Sequence, residues 1–261
     1  MRPLPRIMVA PNGAYKTKSD HPNLPVTIEE TVSSVEEAYH AGADGAHLHL
    51  RDTQQCHLLD VAQYRELISE IRKKCRDLYL QITTEAAGLY TSQFQRDLII
   101  ELAHPYVSAS IAELVRDCQL DHLRQFYENC SALGIVIQHI FYGLDDMQMF
   151  QDLVNARVIP ADQNTYLFVL GRYSTGQQSK PKDLLPFLRA LKKMSDQKTP
   201  DWAVCAFGSQ ETQCLLNAIK NGGKSRIGFE NNFLNIDGQV AQSNADRVAE
   251  LREHLIGLSS V

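Results

Sequence analysis

Two histidines one residue apart carry the first chemistry in this chain. In Gly45-Ala46-His47-Leu48-His49-Leu50-Arg51-Asp52 apolar and polar residues alternate, as they do along a strand. Side chains at i and i+2 of a strand leave the same face, so His47 and His49 project together. Two imidazoles held that way are the beginning of a metal site and lack a third ligand. Glu230, in Gly228-Phe229-Glu230-Asn231-Asn232, is the candidate. Two imidazoles, one carboxylate and an open fourth position make a catalytic zinc arrangement. Manganese, iron or nickel accept the same nitrogen and oxygen donors. The alternative for Glu230 is an ion pair with Arg226 or Arg51, since a carboxylate after an apolar strand needs a partner. Both hold at once where an arginine orients the ligand.

The elements that must position these groups alternate from end to end. Short apolar segments at 6–10, 45–50, 78–83, 106–110, 134–140, 166–170, 202–206 and 225–229 read as strands. Amphipathic segments at 28–41, 61–75, 91–103, 118–133, 144–156, 181–194, 210–221 and 245–256 read as helices. Thr27-Ile28-Glu29-Glu30 is a capping box, Asp60 and Ser209 stand as N-caps, and Gly134 and Gly222-Gly223 follow helices as C-cap glycines do. Eight strand–helix units in about 250 residues is the count of a TIM (β/α)8 barrel. A doubly wound sheet is the competing fold, but Ala10-Pro11-Asn12-Gly13 is not its Gly-rich first turn. The 261 residues, 44% hydrophobic and 22% charged, suit a single domain over 1–261 with a large core.

A formal net charge of −5 argues against nucleic acid or an anionic membrane surface as partner. No apolar run approaches the roughly 18 residues of a membrane span. Met1-Arg2-Pro3-Leu4-Pro5 lacks the apolar stretch of a signal peptide. Six scattered cysteines without a C-x-x-C pair read as reduced cytoplasmic thiols.

Barrel chemistry sits at the C-terminal ends of the strands. Collected in order, those ends offer Asn12; His47, His49, Arg51 and Asp52; Thr83, Thr84 and Glu85; Ser108, Ser110 and Glu113; Gln138, His139 and Tyr142; Gly171-Arg172-Tyr173; Cys205 and Gly208; and Arg226, Glu230, Asn231 and Asn232. Closure sets the last strand beside the first, so Glu230 approaches His47 and His49 across one intervening strand. Asn12, Thr83, Thr84, Ser110, Gln138, His139 and Asn231 are the candidate substrate contacts. Thr83 and Thr84 could equally satisfy local backbone groups. His57, His104 and His122 read as surface or capping residues, and Arg72-Lys73-Lys74 as a solvated helix end. Gly222-Gly223-Lys224-Ser225 lacks the earlier glycine of a P-loop, because Ala218 holds that position.

The motifs resemble those of the β-keto acid cleavage enzymes. The resemblance is carried by Pro11-Asn12-Gly13-Ala14, Pro25-Val26-Thr27, Ala41-Gly42-Ala43, His47-Leu48-His49-Leu50-Arg51-Asp52, and Arg226-Ile227-Gly228-Phe229-Glu230-Asn231, followed by Asp237-Gly238 and Asn244-Ala245. It implies a zinc-dependent TIM barrel that converts a small β-keto acid and acetyl-CoA into acetoacetate and a new acyl-CoA, and a homo-oligomer, dimer or tetramer. By motif, His47, His49 and Glu230 would hold Zn2+ and Arg226 would stabilise developing negative charge. Two departures stand out. The family's aspartate after the ligand glutamate is Asn231 here, and its strand-5 Pro-Glu-x-Glu run is Ile137-Gln138-His139-Ile140. The chain also ends at Val261, short of the family's usual C-terminal extension. Glu85 and His139 are the replacements at hand for the missing acid. Glu85 could instead cap the following helix. Two other functions compete: a CoA-independent metal-dependent aldolase or hydrolase, and a metal-binding scaffold without catalysis. Arg172 is a candidate reader of the substrate tail.

Overall fold

All eight short apolar segments become parallel strands because each buries side chains on both faces, one against helices and one inside the bore. The computed structural model describes residues 2–172, 174–194 and 199–259; Met1, Tyr173, residues 195–198, Ser260 and Val261 lie outside that description. The order is β1 (Ile7–Val9), α1 (Ile28–Ala41), β2 (Gly45–Leu48), β3 (Leu50–Arg51), β4 (His57–Leu58), α2 (Val61–Lys74), β5 (Tyr79–Thr83), α3 (Ser92–Leu102), β6 (Tyr106–Ser110), α4 (Ile111–Leu114), α5 (Leu120–Ala132), β7 (Val136–Phe141), α6 (Leu144–Asn155), β8 (Thr165–Leu170), α7 (Leu185–Lys193), β9 (Asp201–Ala206), α8 (Glu211–Lys220), β10 (Lys224–Ile227) and α9 (Asn244–Ser259). Strands β1, β10, β9, β8, β7, β6, β5 and β2 close a barrel in that order, each parallel to its neighbours. This is the TIM barrel expected from the alternation. Among the described residues no helix is long and apolar enough to cross a membrane.

Strand parity divides the core. Ala46, Leu48, Leu80, Ile82, Ile137, Phe141, Phe168 and Val204 face the helices. Met8, Tyr79, Leu167, Val169, Ala203 and Cys205 fill the bore. At the lower rim Trp202 packs on Phe168, 5.6 Å between ring centroids, and lies over Gly223. A Cβ at Gly223 would come within 2.2 Å of the indole, so only glycine fits there.

Local signals behave as their chemistry dictates, with instructive exceptions. Thr27 and Glu30 form the reciprocal box at α1, and Asp60 accepts from Gln63 N at α2. Ser209 is not an N-cap: Gln210 holds that position, and Ser209 Oγ reaches Gln178 Oε1 instead. The strand expected over 45–50 ends at Leu48. Asp52 Oδ1 accepts from Gln54 N and Cys56 N, both at 2.8 Å, and so folds the chain back, pairing β3 with β4 as a hairpin.

Candidate metal centre

His47 leaves the inner face of β2, and His49 follows one residue beyond the strand end. Their Nε2 atoms lie 3.1 Å apart. Glu230, past β10, brings Oε2 to 3.8 Å from His47 Nε2 and Oε1 to 3.7 Å from His49 Nε2. The three groups offer ligand atoms that all fall within 4.8 Å of one another. Two backbone features hold Glu230 there. Its N–H donates to Ala10 O at 3.1 Å, tying the turn to β1. Gly13, at φ +65, leaves the space its side chain occupies; a Cβ at 13 would meet Glu230 Cγ at 2.5 Å.

The electrostatics suit a cation. Burial pushes both imidazoles well below their ordinary value, His47 further through Arg226 and His49 through His57 and Arg51. Both therefore present neutral nitrogen near neutrality. Burial would raise the Glu230 carboxyl, but Arg226 foremost, with His47 and Lys16, holds it below the usual range. Arg226 NH2 contacts Glu230 Oε1 at 3.2 Å, so the ion pair and the triad coexist on one carboxylate. Glu230 Oε2 is buried with no hydrogen-bond partner and stands 3.8 Å from His47 Nε2. Arg226 Nε and NH1 are likewise buried without partners, which leaves donors free for a ligand. Arg51 does not join the carboxylate; it donates to the carbonyls of Gln55, Asn12 and Lys16.

A cavity of about 260 Å3 opens above the triad at the C-terminal ends of the strands. His47, Glu230, Arg226, Asn12, Thr83 and Glu85 line it, and Asn12 Oδ1 is buried without a partner. Glu85 does not cap α3, because Thr91 does so by accepting from Phe94 N. Its carboxyl stands 3.8 Å from Arg172, and burial, aided by the charge of Glu230, pushes it up to about 7 against Arg172. Ser110, on the same inner face of β6 as Ser108, is buried but off the lining. Thr84 spends its hydroxyl on Ser108 O. His139 is placed outside the barrel. Parity turns it toward the helices, where Nε2 pairs with Tyr127 OH at 2.9 Å beside Phe150, and burial drives it down to about 3. Gln138 faces inward but lies beneath the cavity, bonded to Gln81. Asn231 sits behind Glu230, its Nδ2 3.4 Å from Glu211 Oε1 and from Arg226 O. An aspartate there would set a second carboxylate against Glu211, so the amide fits its surroundings. His57 is no surface residue: it is buried, donates from Nε2 to Glu85 O at 2.8 Å, and lies 5.3 Å from the His49 ring. His104 caps Leu80 O as expected. Tyr173 lies outside the described residues.

Sequence reasoning missed Tyr15 and Lys16, which arrive on the loop after β1, and Val169, Gln177 and Phe207. Lys16 Nζ donates to Phe229 O at 2.8 Å, and burial brings its ammonium down to about 8. Arg172 stacks between Tyr15 and Phe207, 4.6 and 5.2 Å from their ring centroids.

Comparison with known proteins places this geometry among relatives. Residues 6–259 match the β-keto acid cleavage enzyme family. The chain is 26% identical over 262 residues to a 3-keto-5-aminohexanoate cleavage enzyme of Fusobacterium nucleatum, covering 93% of this chain and 89% of that protein. It is 24% identical over 289 residues to a 3,5-dioxohexanoate:acetyl-CoA acetone transferase of Paraburkholderia graminis, covering 97% and 90%. Among solved structures, ObcA in ternary complex with a C4-CoA adduct and oxalate superposes with a TM-score of 0.70 at 15% identity. That match covers 91% of this chain and 65% of the longer ObcA chain, and it shows a shared barrel.

Proposed function

This chain belongs to the β-keto acid cleavage enzyme family, and on that footing we propose that it converts a small β-keto acid and acetyl-CoA into acetoacetate and a new acyl-CoA. The observation that carries the reading is the His47–His49–Glu230 cluster at the base of a cavity that also holds Arg226 and Glu85. Two neutral imidazoles and an ionised carboxylate with a partnerless oxygen fit a zinc ion with an open position. Bound there, zinc would act as a Lewis acid on the keto acid's carbonyl oxygen.

The chain's own groups do the rest. Arg226 directs its unpaired Nε and NH1 at substrate oxygens and steadies the negative charge that grows on them. Thr83, on the cavity wall, turns its hydroxyl hydrogen to a keto acid oxygen, and Asn12 Oδ1, an acceptor, is left for an N–H donor of the substrates. Glu85 takes a proton from C2, the carbon between carboxylate and ketone, and later returns it; burial, which raises its carboxyl, keeps it basic enough to accept that proton. The carbanion adds to the thioester carbonyl of acetyl-CoA and expels CoA thiolate. The thiolate adds to the original ketone carbon, the C2–C3 bond breaks, and acyl-CoA leaves. Acetoacetate recovers the proton from Glu85. The cavity's volume of about 260 Å3 is on the scale of a small keto acid together with the acetyl end of a thioester, which supports this reading.

We further propose one domain over the whole chain, a cytoplasmic setting and a dimer or tetramer. Six free cysteines support the reducing compartment. Exposed Leu144, Met149 and Leu185 on neighbouring helices α6 and α7 support self-association, read directly by sedimentation. The decisive assay incubates zinc-loaded protein with acetyl-CoA and a panel of β-keto acids and follows acetoacetate. Turnover that ignores CoA would identify an aldolase or hydrolase instead, and metal binding without turnover a scaffold.

A further inference from the structure

We propose that Gln81 and Gln138 are positioning residues that fix His47 with its proton on Nδ1, so that its bare Nε2 faces His49 and Glu230. The inference rests on the metal reading of that triad for its purpose, but not for its geometry. The order of the relay is set at a carbonyl. Tyr166 O has no proton to give and accepts from Gln138 Nε2 at 3.1 Å. The other end of that amide, Oε1, therefore faces Gln81 and accepts from its Nε2 at 3.0 Å. Gln81 must then present Oε1 to His47 Nδ1, 2.9 Å away. An oxygen only accepts, so Nδ1 carries the hydrogen and Nε2 carries a lone pair. Each amide has one orientation because reversing either sets two acceptors face to face. All three side chains are buried, with Gln81 fully so, which shields these contacts from bulk solvent.

His49 has no such anchor. Its Nδ1 is buried without a partner, and its Nε2 lies 3.1 Å from the bare Nε2 of His47. Without metal, His49 must therefore hold its proton on Nε2 and donate it to His47. The two imidazoles carry opposite tautomers, one set by the amide relay and one free to move its proton to Nδ1 when a cation takes Nε2. A ligand histidine fixed through its second nitrogen is how proteins orient metal sites, and loss of such a partner weakens metal affinity about 10–100-fold.

The test uses the full chain labelled with 15N-histidine, whose ring nitrogens report their protonation directly in long-range 15N–1H spectra. In metal-free wild type His47 shows its proton on Nδ1 and His49 on Nε2. Gln138→Met keeps the bulk and removes the donor to Tyr166 O; His47 then shows a mixture of tautomers, and the zinc dissociation constant, read by chelator competition, rises about 10–100-fold. Ser108→Ala, in the same bore but outside the relay, leaves both readouts unchanged. A wild-type His47 with its proton on Nε2 overturns the proposal whether or not the variant folds, and so does unaltered zinc affinity in Gln138→Met. Failure of wild type to bind zinc, with His47 still protonated on Nδ1, overturns the metal reading and leaves the relay standing.

Discussion

Replacing Glu85 by glutamine separates what this carboxyl does for catalysis from what it does to the fold. Burial, then the charge of Glu230, lifts it from 4.5 to about 7; Glu113 adds to the rise, and Arg172 and Arg226 oppose it. Below about pH 4.5 the acid is neutral in the folded and the unfolded chain, and its burial carries no electrostatic penalty. As pH rises from there to about 7, the unfolded chain gives up the proton while the native state keeps it. Native stability then falls by about 1.4 kcal/mol per pH unit. Above 7 both states are ionised and the loss levels at about 3 kcal/mol. Glutamine copies the neutral acid and cannot titrate. Glu85→Gln is therefore expected to exceed wild type in stability by up to about 3 kcal/mol at pH 8, and by less than about 1 kcal/mol at pH 5. Urea unfolding of the metal-free proteins at both pH values measures this; metal is left out because a dication beside Glu230 would itself pull the carboxyl down. The same variant should lose on the order of 10²-fold in kcat for acetoacetate formation. Equal stability differences at the two pH values would refute the raised carboxyl, and a kcat within about three-fold of wild type would refute its role as proton carrier.

Other substitutions test the scaffold of the site. His47→Ala with His49→Ala should abolish stoichiometric metal in protein purified without a histidine tag; normal occupancy by elemental analysis would remove both residues from the centre. Gly13→Ala introduces a Cβ 2.5 Å from Glu230 Cγ at a φ of +65, so the carboxylate must move and metal affinity should fall about 10–100-fold by chelator competition. Arg226→Met leaves Glu230 buried without its cation, a change worth about 3–5 kcal/mol of stability, and removes the oxyanion donors, worth about 10²–10³ in kcat. Thermal unfolding and initial rates should register both losses.

Which parts of this were legible in the residues follows from where the information is local. His47 and His49 were readable because a two-residue period fixes their common face, and Glu230 because barrel closure is a rule of topology. His139 and Gln138 are adjacent, and the same period assigns them to opposite faces. Ile137 and Phe141, apolar and in step with His139, mark the helix side, while Ile140 in step with Gln138 marks the bore. Grouping both by position alone put one of them in the wrong compartment. Gln81 left a signal that was passed over: a polar residue flanked by Leu80 and Ile82 in mid-strand requires a buried partner. Tyr15 and Lys16 left none, because their loop takes its direction from contacts with Arg172 and Phe229 that no short-range pattern encodes.

The indole wedged over Gly223 gives the molecule a private reporter. Trp202 is the chain's single tryptophan, buried at the start of β9 on the helix side, whereas the cavity opens at the opposite ends of the strands. Excited at the red edge, where tyrosine is dark, its emission should stay flat through a titration with zinc or keto acid. It should shift to longer wavelength when the lower rim opens to water. Loss of fold and loss of ligand are thereby optically distinct in the unlabelled protein, and an inactive variant can be sorted into one or the other from a single spectrum.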